Sequence, residues 1–252
     1  MKRIIPLLGL LAVVAVVAAI NNSCKKSSSN NNGSGNGLAT QPAAQAAYDN
    51  QSGGVYKGSL TGSSGYFEID LQAGKPLLVY QWTNPAGSID SLYTSSLSGW
   101  QSGQAITKAV FSGSDGSVFW FSVAADGSSP SIDSVSIPSH SGPVYAEVGK
   151  ELSSALIKVY QGTGTVANSG SGCFSGTVNM WLGGSNAVIT YLGTNGDVGI
   201  FGGTVSGNQL QVNASGGNNE TGTLAISSDG STIGGTVNSS SCSHNVSLTR
   251  IF

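Results

Sequence analysis

From residue 50 onward the chain alternates apolar and polar residues in short runs, and each run breaks at a turn signal. Phe67, Ile69 and Leu71 alternate with Tyr66, Glu68 and Asp70. Leu210, Val212 and Ala214 alternate with Gln211 and Asn213, and Val246 and Leu248 with Ser247 and Thr249. This is the period of half-buried strands. The breaks include Asp115-Gly116, Asp126-Gly127, Asn195-Gly196 and Asp229-Gly230, dipeptides that take φ > 0 at low cost, as tight primed hairpin turns require. Strands joined so closely are antiparallel neighbours. The expected fold is therefore all-β, with no helix between Tyr56 and Phe252 and at most a short helical lead-in after Ala39.

A repeat sets the expected domain plan. GVYKGSL (54–60), GCFSGTV (172–178) and GIFGGTV (199–205) share one pattern, and STIGGTV (231–237) is a degenerate copy. LIKVY (156–160) matches LTRIF (248–252) class for class. Each half thus opens on Gly-x-aromatic and closes on Leu-x-basic-β-branched-aromatic. The plan is two tandem antiparallel meander modules, barrel-like or half-open sandwiches, at 47–162 and 172–252 with a linker at 163–171. A single large barrel is the alternative. The Gly-x-aromatic opening and the basic residue on the last strand resemble the calycin superfamily, which includes lipocalins and avidins. The resemblance implies that Lys158 covers Tyr56 and Arg250 covers Phe174. The family's usual tryptophan is absent from both openings.

The N-terminus gives an address. Lys2 and Arg3 precede an apolar run from Ile4 to Ile20, and Ser23-Cys24-Lys25-Lys26 follows. This reads as an export signal over 1–23, and its SCKK ending resembles the lipid-attachment site of Bacteroidota-type lipoproteins. Asn21 departs from the leucine usual three positions before that cysteine, so an uncleaved anchor or a conventionally cleaved signal stays open. Lipid on Cys24 implies stable membrane anchoring in the cell envelope, at the outer membrane in preference to the inner. Residues 24–46, rich in Ser, Asn and Gly, read as a flexible tether with a reach on the order of 25 Å.

Composition narrows the classes further. Charged residues are 9% of the chain and Gly numbers 37, a profile of exported β-proteins. No basic cluster follows the tether, so nucleic acid is not an expected partner. With Cys24 set aside, an oxidising compartment favours pairing Cys173 with Cys242, worth about 4 kcal/mol in the chain-entropy model. Seven strands counted between 172 and 251 start the first and last at the same end, which brings these cysteines together. An eight-strand count, which the Phe174–Arg250 contact needs, would separate them.

Catalytic signals are sparse. No Gly-x-Ser-x-Gly elbow, phosphate loop or dinucleotide fingerprint occurs. His140 and His244 read as solvated residues, and with two cysteines they give no zinc spacing. No cofactor or metal is expected. Glu68 and Asp70 share a strand face at about 7 Å, within the range of glycosidase pairs, but a solvated outer face explains them more simply. The functional hint is aromatic: Trp82, Trp100 and Trp120 lie in the first module, and parity points Trp181 outward from the second. These four are the candidate ligand-binding residues. The expected function is non-catalytic binding or adhesion of glycan or a small apolar ligand. An envelope structural or inhibitor protein acting through protein contact is the alternative, and a glycan hydrolase the third.

Overall fold

The computed structural model describes residues 38–72, 76–82, 89–140, 144–168, 173–213, 220–239 and 241–252. The export signal, Cys24 and most of the tether lie outside these residues.

Among the described residues sixteen strands form two sheets. The first eight are β1 (Val55–Leu60), β2 (Gly65–Asp70), β3 (Leu77–Gln81), β4 (Asp90–Tyr93), β5 (Ile106–Ser112), β6 (Val118–Val123), β7 (Ser131–Ser136) and β8 (Ala146–Glu151). They pair in the order β7-β6-β5-β4-β3-β2-β1-β8. Every pairing is antiparallel, and β8 returns to the free side of β1, so the sheet is a nearly closed barrel. The second eight are β9 (Ile157–Val166), β10 (Gly176–Gly183), β11 (Asn186–Gly193), β12 (Val198–Ser206), β13 (Gln209–Asn213), β14 (Thr221–Ile226), β15 (Thr232–Asn238) and β16 (Ser243–Arg250). They close fully, with β9 between β10 and β16. The fold is all-β, two tandem antiparallel barrels, and its helical content among the described residues is one 3₁₀ turn at Ala46–Tyr48.

The placement of β9 corrects the domain plan. It crosses the expected boundary at 162 and occupies part of the expected linker. LIKVY and LTRIF therefore do not end two modules. They are neighbours in one barrel, with Arg250 opposite Tyr160 and Thr249 opposite Gln161. The extra strand also reconciles the cysteines with an even strand count. β10 and β16 both run antiparallel to β9, so they are parallel to each other and start at the same end. Cys173 and Cys242 precede those starts and are bonded, with Cα atoms 5.6 Å apart. Phe174 and Arg250 lie at opposite ends of this barrel, so the contact between them is not formed.

The turn chemistry is also more specific than expected. Gly116, Gly127, Gly196 and Gly230 all have φ between 67° and 90°, but the Asp or Asn before each does not have positive φ. Instead its carboxylate or amide oxygen accepts the backbone N–H two residues on: Asp115 from Ser117, Asp126 from Ser128, Asn195 from Asp197, Asp229 from Ser231. These are longer loops with one left-handed glycine, not two-residue primed turns. At Asp229 the Ser227 and Ser231 donors lower the carboxyl pKa to about 2.

The first barrel is filled. Tyr56, Phe67, Tyr80, Phe111, Phe119 and Phe121 are all buried in its core, with Tyr56–Phe121, Phe67–Phe119 and Tyr80–Phe119 ring centroids 5.0, 5.7 and 5.4 Å apart. The Tyr56 hydroxyl donates to the Ser52 carbonyl, and that of Tyr80 to Asp115.

Strand β1 is buried along its whole length, because one face lines its own barrel and the other meets β9 and β10. Lys57 sits on that second face, 1% exposed. Its Nζ lies 2.8 Å from Glu151 Oε2 and 3.6 Å from Glu68 Oε2, and 5.1 Å from the centre of the Phe252 ring. Glu151 also accepts the Ile157, Ala43 and Ala44 amides. Tyr66 stacks on Phe252 at 4.3 Å. Asn179 on β10 donates to the Ser63 carbonyl and accepts the Gly62 amide across the interface. The outer face of β2 is thus covered, not solvated as its polarity suggests: the Glu68 side chain is 22% exposed, and burial raises its carboxyl pKa against the pull of Lys57. Residues 39–45, expected in the tether, are held to the barrels through Ala43, Ala44, Gln45 and Ala39.

Candidate functional site

The core of the second barrel packs toward one end, where Lys158, Tyr160, Asp229 and Gly230 line an open, polar recess of about 280 Å³. There Tyr160, Met180, Leu182, Leu210, Ile233 and Leu248 pack together, and the Tyr160 hydroxyl donates to the Gly230 carbonyl at 2.8 Å. Lys158, Asp229 and Arg250 belong to this packed end. Toward the other end, where the disulfide lies, the interior opens into a cavity of about 250 Å³. Its walls are the inward residues Val178, Ile189, Phe201, Val212, Leu224 and Val246, and two further inward positions are Gly164 and Gly199. Small residues there leave the space that aromatic rings fill in the first barrel. For comparison, an apolar cavity of about 150 Å³ accepts benzene.

The mouth is built from strand ends: the start of β10, the β11–β12 turn, the start of β14 and the approach to β16. The Cys173–Cys242 bond joins two of these segments across the end of β9. Tyr191 donates its hydroxyl to the Phe174 carbonyl. His244 Nε2 lies 3.1 Å from the same oxygen, so this nitrogen carries the proton. The rings of Tyr191 and His244 are 5.7 Å apart. Burial, with a smaller contribution from Asp197, pushes the Tyr191 hydroxyl pKa up. Asp197 and Glu220 complete the charged rim, and the Asn195 amide bonds Asp197. Phe174 and Ile200 stay 40% and 53% exposed at this end.

The four candidate tryptophans are not brought together, and none lines the cavity. Trp82 is half-buried against the first-barrel core, edge-on to His140 at 4.8 Å. Trp100 packs on the same core and donates Nε1 to the Gln104 carbonyl at 3.0 Å. Trp120 lies half-buried on the outer face of β6, between Val110 and Ser134. Trp181 does point outward from its barrel, as parity requires, and its ring lies against the first barrel at Gly149, where any side chain would collide with it. Tyr191, Phe201, Asp197, Glu220 and His244 form the site that tryptophan content does not mark. The glycine content of strands β9 to β12 was the available signal. Among the described residues no group of three or more His, Cys, Asp or Glu is placed to hold a metal ion.

Comparison of the chain with protein-family models, curated proteins and solved structures finds no match.

Proposed function

We propose that this is an exported, envelope-anchored binding protein, held by lipid on Cys24, whose second barrel takes a small ligand with an apolar body. The observation that carries the reading is the cavity: apolar side walls, a packed floor around Tyr160 and Met180, and polar groups confined to the rim. That distribution suits a ligand that buries its apolar part and keeps a polar end at the mouth. The role is non-catalytic: Tyr191 and His244, the groups best suited to proton transfer, both bond one main-chain carbonyl. The first barrel then serves as a filled support that fixes β9 and β10 through the Glu151–Ile157 and Asn179 hydrogen bonds. The volume sets the size class at one ring with a short chain, on the order of ten heavy atoms.

Calorimetric titration of the full chain with 3-phenylpropanol tests this. We expect saturable one-to-one binding, lost when Val212→Phe fills the cavity while the unfolding midpoint is maintained. Absence of binding by the unaltered chain would refute the reading.

A further inference from the structure

The cations of the second barrel lie at one end, beside Asp229, while its other two carboxylates lie at the opposite end. The sequence has no lysine or arginine between Lys158 and Arg250. Both of those cations lie at the packed end: Lys158 Nζ approaches Gly230, and Arg250 bonds the Phe252 and Ala39 carbonyls. The carboxylates Asp197 and Glu220 line the cavity at the opposite end. A ligand carboxylate or phosphate at this mouth would meet two like charges and no lysine or arginine. Three aromatic rings, Phe174, Tyr191 and Phe201, also line the cavity, and aromatic faces attract a cation.

We infer that the cavity selects a cationic amphiphile, an alkyl- or arylalkyl-ammonium whose apolar part enters the barrel and whose ammonium stays at the rim beside Asp197 and Glu220. This rests on the binding role proposed above and adds the charge of the ligand to it. Each carboxylate acts across a partly solvated rim, where an ion pair is worth between a few-fold and about tenfold in affinity.

The test compares three probes of one shape by calorimetry on the full chain at neutral pH: 3-phenylpropylammonium, 3-phenylpropanol and 3-phenylpropionate. The inference expects the ammonium to bind about tenfold tighter than the alcohol, and the carboxylate more weakly than either. Salt at about 0.5 M should shrink the ammonium advantage to a few-fold at most, because rim charges are screened. Asp197→Asn with Glu220→Gln should bring the ammonium to the affinity of the alcohol measured on the same variant, with an unchanged far-ultraviolet circular dichroism spectrum showing that the variant is folded; an ammonium advantage that persists in it would overturn the charge selection. Equal binding of all three probes, or preference for the carboxylate, would overturn the charge selection and leave the cavity reading standing. Binding of none would overturn the cavity reading itself.

Discussion

Replacing Lys57 by methionine probes the first barrel's buried ion pair on the face that the second barrel covers. The ammonium is 2.8 Å from Glu151 and 3.6 Å from Glu68, and Lys57 and Glu151 are 1% and 0% exposed. In Lys57→Met, Glu151 keeps the Ala43, Ala44 and Ile157 amides but loses its countercharge. Breaking one partner of a buried pair typically costs about 3–5 kcal/mol, or roughly 6–20 °C in melting temperature for a protein of this size. Adding Glu151→Gln removes the stranded charge. The glutamine oxygen can still accept Ala43 and Ala44, but Ile157 loses its acceptor, so recovery should be incomplete by about 1–3 kcal/mol. Urea unfolding of the four members of this cycle gives the coupling energy, expected to exceed about 1 kcal/mol. A cost below about 1 kcal/mol for Lys57→Met, the level of an exposed pair, would show that water reaches Lys57 and that the barrels do not close on each other as described.

Other consequences are smaller in scope. Glu68 has a folded pKa raised above its reference of 4.5, so the folded chain binds more protons there than the unfolded one; stability should fall as pH rises from about 4.5 through the raised value, and Glu68→Gln should flatten that decline in chemical unfolding. Converting Cys173 and Cys242 to alanine removes a cross-link spanning 69 residues and should cost about 4 kcal/mol, with weaker 3-phenylpropanol binding because the segments flanking the mouth are released. Gly58→Ala would place a Cβ against the Glu147 carbonyl and the Phe67 ring; overpacking of that kind costs about 1–3 kcal/mol or more, seen as a lowered urea midpoint.

The parts of the fold legible in the sequence are those that alternation and local turn chemistry dictate. Phe67, Ile69 and Leu71 face inward because parity leaves no alternative once one face is buried. Val178, Met180 and Leu182 likewise force Trp181 outward. Parity says which way a side chain points but not what covers it, and so Glu68 reads as solvated when the second barrel lies over it. Strand grammar is equally silent on ownership: LIKVY looks like a closing strand, but as β9 it opens and closes the second barrel. The cavity is not legible in the sequence for a related reason. Tryptophans and phenylalanines attract attention as ligand platforms, yet in the first barrel they fill the interior. A hollow arises from what is missing, here side-chain bulk at Gly164 and Gly199, and those positions converge only when β9 and β12 curl into one wall.

The central claim is that the disulfide end of the second barrel holds a small ligand. Methyl-resolved NMR of the full chain titrated with 3-phenylpropanol tests it most directly. The account predicts saturable shifts at Val178, Ile189, Val212, Leu224 and Val246, with Leu78 and Leu92 of the first barrel unmoved. Saturable shifts confined to the first barrel, or none at millimolar ligand, would contradict it.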